Sequence, residues 1–214
     1  SYIKNMRDTA HIIEVANSSE DWEQQNLYDK ENGYFYKLGQ DASGKAQDVL
    51  KAYDTDMQNK LSKYNLTHAN MRKAENIIKR KRDRIAYSVN AHDFNQTQKY
   101  AETELQTGLQ NSLNSAYNGR NDDNIVKTQI ANGMQMIELS AQFTHADEAT
   151  VKLQKQAYIS KVHETVIKGM LADNNILAEE YLEKHKSEID PAILNNLTEA
   201  TKKNSLDYLA TSTA

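Results

Sequence analysis

Apolar residues recur at spacings of three and four along most of this chain. Ile3, Met6, Ala10, Ile13 and Ala16 form one such stripe within residues 2–30, the period of an amphipathic helix face. Asn17-Ser18-Ser19 predicts a break there, with Ser19 capping a new turn that carries Trp22. Asn32-Gly33 signals a turn. The tyrosine-rich Tyr34-Phe35-Tyr36 and the following Leu38-Gly39-Gln40-Asp41-Ala42 read as an irregular segment packed by its aromatics, since a strand there has no partner in the sequence. Ala46, Val49, Leu50, Tyr53, Met57 and Leu61 predict a second helix over 43–64.

Thr67 caps a much longer helix running to about residue 117. Between Thr67 and Tyr117 there is one glycine and no proline, so almost nothing breaks the helix. Met71, Ala74, Ile78, Ile85 and Val89 mark an inner face early on, and Leu105, Leu109, Leu113 and Ala116 mark another near the end. The stretch 90–103 between them is polar on nearly all sides, the pattern of a helix bridging packed regions.

After the turn Asn118-Gly119-Arg120-Asn121, Asp122 or Asp123 starts a helix through Ile125, Ile130, Met134, Ile137 and Ala141. His145-Ala146-Asp147 starts the next, through Val151, Leu153, Ala157, Val162, Val166 and Met170. Asn174-Asn175 separates it from a helix over 176–186. Asp190-Pro191 opens the last helix, with the only proline of the chain in the first turn, where its missing N–H costs nothing. Short turns favour antiparallel neighbours. The predicted fold is all-α: an elongated antiparallel helical bundle of helix hairpins with one very long helix. Its expected parts are an N-terminal helical subdomain (1–90), a connecting part of the long helix (91–117) and a C-terminal helix-hairpin subdomain (118–214). Gly133 and Gly169, inside helices, predict close helix approach, so that Gly169→Leu destabilises the second half.

Composition thins this picture. Only 38% of the residues are hydrophobic, which suits thin bundles that each bury one stripe. The net charge of -4 and the helical periodicity argue against disorder. The absence of cysteine excludes disulfides, thiolate catalysis and Cys-based zinc sites. No apolar run reaches the length of a membrane span, and Ser1-Tyr2-Ile3-Lys4 lacks the apolar core of a signal peptide. The missing initiator Met fits a fragment of a longer protein.

Candidate chemistry is sparse. Lys79-Arg80-Lys81-Arg82-Asp83-Arg84, with Arg72 and Lys73 upstream, is the strongest charge feature. We read it as a solvated or ion-paired face, with contact to an anionic partner such as nucleic acid or a membrane surface as the alternative. Six histidines are scattered: His11, His68, His92, His145, His163 and His185. His163-Glu164 begins a zinc-helix motif, but position 167 is Ile. His145, Asp147 and Glu148 cluster at a helix start, where acids suit the dipole. Glu179-Glu180 and Asp122-Asp123 are adjacent and cannot face each other across a cleft. No glycine-rich phosphate loop or nucleophile elbow is present. The residues thus predict no catalytic residue, no metal site and no cofactor. Tyr53, Tyr64, Tyr87, Tyr100, Tyr117, Tyr158, Tyr181 and Tyr208 fit half-buried bundle positions, with a partner interface as the alternative.

Two stretches carry a resemblance. Residues 32–42, Asn-Gly-Tyr-Phe-Tyr-Lys-Leu-Gly-Gln-Asp-Ala, resemble a G-(Y/F)-x-x-x-x-G-x-(D/E)-A segment of tailed-bacteriophage virion proteins, in which a helix and then a long helix opening with a basic stretch follow. Residues 171–191 are similar to a helix hairpin of the form (D/N)-x-x-x-A-x-x-Y-L-x-x-(H/N)-x-x-x-I-(D/P) near the end of the same region. The order matches over roughly residues 22–200, although this chain is Asn/Gln/Lys-rich where those proteins are Ala/Arg-rich. The resemblance implies a helical structural region of a minor virion or tail protein, of internal or ejection type, with no catalytic residues. Its expected partners are other virion or tail subunits or a second copy, with no small-molecule substrate, and its expected place is the virion. An accessory, non-catalytic region of a cell-wall hydrolase is the alternative from an enzyme class.

Overall fold

A computed structural model describes residues 1–213. They fold as seven α-helices with short connecting turns, and no strand occurs among the described residues. The helices are α1 (Tyr2–Glu23), α2 (Ala46–Leu61), α3 (His68–Asn118), α4 (Asp123–Thr144), α5 (Glu148–Ala172), α6 (Ala178–His185) and α7 (Pro191–Ser212). Two compact units divide the chain, Ser1–Ala101 and Glu102–Ala214, with α3 beginning in the first and ending in the second.

In the first unit α1, α2 and the start of α3 close over one core. Val15, Trp22, Leu50, Tyr53, Met57, Ala74, Ile78, Ile85 and Val89 are buried together. The residues from α2 and α3 are the ones their periodicity predicts. For α1 the expectation needs correcting. Ile3, Met6 and Ile13 are each more than half exposed, and the inward positions are Asp8, Val15, Ser19 and Trp22. Polar residues win this face because they find partners. Asp8 accepts from the Asn70 side chain at 2.9 Å and the Thr67 amide at 3.3 Å, fastening α1 to the start of α3. The Ser19 hydroxyl lies 2.6 Å from the Tyr53 hydroxyl. That bond also explains why the expected break at residues 17–19 does not form: Ser19 satisfies its hydroxyl across the core rather than at a helix start. α1 ends instead in a wide π-type turn, Gln24–Tyr28.

The segment between α1 and α2 is irregular, as expected, and consists of two tight turns, Tyr34–Tyr36 and Gly39–Asp41. Tyr34 is buried, donates its hydroxyl to the Ala42 carbonyl at 3.0 Å, and has its phenol pushed up to about 12, chiefly by burial. Gly33 faces the carbonyls of Leu27 and Asp29 so closely that a Cβ has no room. The segment is held by the middle of α3. The Gln96 side chain accepts from the Gly39 amide at 2.8 Å, Ser43 and Thr97 hydroxyls lie 2.7 Å apart, and the His92 Nε2 lies 2.9 Å from the Lys37 carbonyl. Asp93 accepts from the amides of Gly44 (2.6 Å) and Ala46 (2.9 Å). Lys45, at the N-cap position of α2, makes no side-chain cap, so Asp93 caps that helix from another element. The polar character of residues 92–97 therefore serves loop amides within the first unit.

Burial alone raises the Asp93 carboxyl, but the Ala46 and Gly44 amides and the Thr97 hydroxyl outweigh it, and the group sits below its ordinary 3.8. Asp93→Ala is expected to destabilise the chain by about 1–2 kcal/mol, the usual loss for a helix cap. The carboxyl is depressed in the folded state, so its stabilisation is present above pH 3.8 and is lost as pH falls through the folded value. Denaturant melts of the wild type and Asp93→Asn should accordingly converge below pH 3.8.

In the second unit, α4 packs on α5, and α6 and α7 complete the bundle against α5. Ala116, Val126, Ile137, Tyr158, Val162, Val166, Ile167, Met170, Tyr181, Leu182 and Leu197 are buried together. The start sites follow the predicted caps. Asp122, Asp147 and Asp190 accept from the amides of Asn124, Thr150 and Ala192 at 2.9, 2.7 and 2.8 Å. His145, in the left-handed region at φ 51°, closes α4. Leu153 and Ala157 depart from the predicted α5 face, both being exposed. Gly133 and Gly169 lie at close approaches: a Cβ on Gly133 would enter the Tyr158 ring, and one on Gly169 would meet Arg120 Cδ at 2.6 Å and Tyr117 at 2.9 Å.

Candidate functional site

The basic run does not act as one patch. Lys81 is only 8% exposed and is held by Glu20 Oε2 at 2.5 Å and by Glu23. Arg82 Nε lies 2.6 Å from Asp54 Oδ1, and Lys79 lies 2.9 Å from Asp83. Arg72, Lys73, Arg80 and Arg84 are exposed. Lys73, Arg80 and Arg84 are separated by seven and four residues, so they share one face of α3. Tyr87 continues that face and is 82% exposed. The helical tyrosines divide likewise: Tyr53, Tyr158 and Tyr181 are buried, while Tyr87, Tyr117 and Tyr208 are exposed.

A second cluster escaped the sequence reading. His163 stands on the inner face of α5, beside Val162, Val166 and Ile167, and is 1% exposed. α6 ends at His185, and the turn Lys186–Glu188 carries Glu188 back beneath it. His163 and His185 stack with ring centres 4.3 Å apart. Glu188 Oε2 reaches both, at 3.0 Å from His163 Nε2 and 2.8 Å from His185 Nδ1. One donor atom from each of the three residues lies within 4.8 Å of the others.

The two ring nitrogens of His163 differ. Nδ1 is 2.8 Å from the buried Tyr181 hydroxyl. Nε2 is buried, and the nearby Glu188 oxygen is too poorly aligned to hydrogen-bond it. Burial and then the neighbouring His185 push the His163 imidazole well below its ordinary range, against the pull of Glu188. The His185 hydrogen bond, followed by the His163 charge, outweighs burial and holds Glu188 below the usual carboxylate range. Burial, with Asp123 and Glu188 nearby, pushes the Tyr181 phenol up. The arrangement offers two imidazoles and a carboxylate drawn from α5, α6 and the turn before α7.

The sequence carried two partial signals for this cluster: a histidine within an apolar helical run, and the spacing His185-x-x-Glu188. Testing only the spacing within α5, where Ile167 stands, could not find donors supplied by another element. His145, Asp147 and Glu148 remain exposed at the α4–α5 turn. Asp147 is committed to capping α5. No helix is long and apolar enough to cross a membrane, among the described residues. Comparison with known protein families, curated proteins and solved structures finds no match to this chain.

Proposed function

We propose that this chain is a non-catalytic structural and assembly module of a tailed-bacteriophage virion or tail protein. The observation that carries the assembly reading is the outward stripe of α1. Tyr2, Ile3, Met6 and Ile13 are exposed along a helix whose core contacts are made by its other side. An apolar helix face in water is costly, and rows of this kind mark protein contacts. The assignment to a virion rests on the resemblance of residues 32–42 and 171–191 to virion proteins. Other virion subunits or a second copy are the partners this reading calls for.

The test has two arms. Assembled particles from the source, analysed by mass spectrometry, should contain this chain at fixed stoichiometry; its absence from purified particles sinks the virion assignment. Ile3→Lys with Ile13→Lys should abolish incorporation while the isolated chain keeps its wild-type helical signal and melting temperature. Clearing of purified cell wall by the chain would instead support the hydrolase reading. The Lys73–Arg80–Arg84–Tyr87 face favours a second reading, contact with nucleic acid or an anionic membrane. Binding that weakens steeply with salt, and is lost on Arg80→Ala with Arg84→Ala, would carry that one.

A further inference from the structure

We propose that His163, His185 and Glu188 form a binding site for one divalent transition-metal ion of the zinc class. This goes beyond the assembly reading and does not depend on it. Two imidazoles and a carboxylate suit zinc, copper or nickel, whereas magnesium and calcium take oxygen-rich sets. Zinc ligands stand about 2.0–2.2 Å from the ion, so donors around one ion lie about 3–3.5 Å apart. Glu188 Oε2 is already 3.0 Å from His163 Nε2 and 2.8 Å from His185 Nδ1. The stacked rings aim their lone pairs side by side, so His185, at the end of α6, must turn its ring off His163 for both to meet one ion, while Glu188, whose side chain is half exposed, moves outward.

The second observation is the orphaned nitrogen. His163 Nε2 is buried in the bundle, turned into the cluster, and has no aligned hydrogen-bond partner. A buried polar atom in that condition calls for a ligand, an ion or a water. The opposite ring nitrogen is already held by Tyr181 at 2.8 Å. With Nδ1–H donating to the Tyr181 oxygen, the lone pair falls on Nε2 and faces the cluster. Metal-bound histidines are oriented through their other nitrogen in this manner. The carboxylate supplies negative charge without a competing lysine: the cations nearby are engaged elsewhere, Lys184 with Asp123 at 2.6 Å and Lys186 with Glu183.

The donors come from α5, the end of α6 and the turn that leads into α7. A bound ion would therefore tie these three elements together, and it would raise stability by mass action because the unfolded chain lacks the site. Three protein donors leave one tetrahedral position for water or a further group.

The test uses the full chain, stripped with a chelator and titrated with zinc by calorimetry. We expect one ion bound per chain and a rise in melting temperature with zinc concentration. Cobalt in place of zinc should give the visible bands of a tetrahedral nitrogen–oxygen site. Glu188→Gln and His185→Gln, both at partly exposed positions, should each weaken binding by at least about tenfold while leaving the metal-free helical signal unchanged. His163→Gln should abolish binding, but its buried position makes the other two variants decisive. Failure to take up zinc at millimolar concentration overturns the proposal. So does uptake with wild-type affinity in both variants, which would place the ion at another site.

Discussion

Gly133→Leu is expected to unfold the helix pair α4–α5 at a temperature roughly 10–20 °C below the wild type. Gly133 is buried on α4 directly against the Tyr158 ring of α5, and even a Cβ would enter that ring. Tyr158 cannot swing aside freely. Its hydroxyl donates to the Gln129 carbonyl at 3.0 Å, and its ring lies in the core with Val162 and Ile137. The helices must then separate along their contact, opening the layer beneath. Overpacking of this kind costs about 3 kcal/mol. Thermal melts of the full chain by circular dichroism check it. A melting temperature unchanged in Gly133→Leu would mean that α4 and α5 are not packed as described. The Cβ of Gly169→Leu meets Arg120 Cδ at 2.6 Å, and that side chain is pinned by Asp173 and the Tyr117 carbonyl, so it should also lower the melting temperature. The Tyr117 ring, 2.9 Å from the same Cβ, must shift as well.

Tyr53→Ala should destabilise the first unit by about 4 kcal/mol, in the range for truncating a large buried aromatic residue. Tyr53 has no exposed surface. Its ring meets Trp22 edge-on with centroids 5.0 Å apart, joining α2 to α1. Its hydroxyl lies 2.6 Å from Ser19 and 3.3 Å from the Ile78 carbonyl of α3. One side chain thus touches all three helices of that core. Tyr53→Phe separates the two contributions. It keeps the ring but leaves the buried Ser19 hydroxyl and the Ile78 carbonyl without this partner, and should cost about 1–2 kcal/mol. Urea denaturation of both variants measures the difference. Equal losses in the two would show that the hydroxyl, not the ring, holds the helices together.

Much of the fold could be read from the chain because helix limits are local chemistry. Asp122, Asp147 and Asp190 sit where caps are needed, and Pro191 fits only a first turn. The buried positions of α2 and the first half of α3 also followed from spacing alone. α1 could not be read this way, because both its faces carry helical periodicity. Ile3, Met6 and Ile13 make the more apolar stripe, yet Asp8 and Ser19 point inward because their partners, Asn70, Thr67 and Tyr53, lie far away in sequence. The role of residues 92–97 was hidden for the same reason, since their partners are backbone amides of another segment. The histidine–glutamate cluster combines donors from two helices and a turn, so no single spacing could reveal it. Lys81 looked like its neighbours in the basic run; only its pairing with Glu20 and Glu23 removes it from the surface.

The capping of α2 by Asp93 ties chain length to phase. Val89 points into the core while Asp93, four residues on, must meet the amides of Gly44 and Ala46. Each residue turns a helix by about 100°. One residue inserted or deleted between them would therefore swing the carboxylate away from its targets, though composition and helicity hardly changed. Natural length variation in this helix is thus barred from the interval 89–97. Even a whole heptad, which nearly restores the phase, would carry the carboxylate about 10 Å along the axis, so homologues of different size should carry their extra residues outside that window.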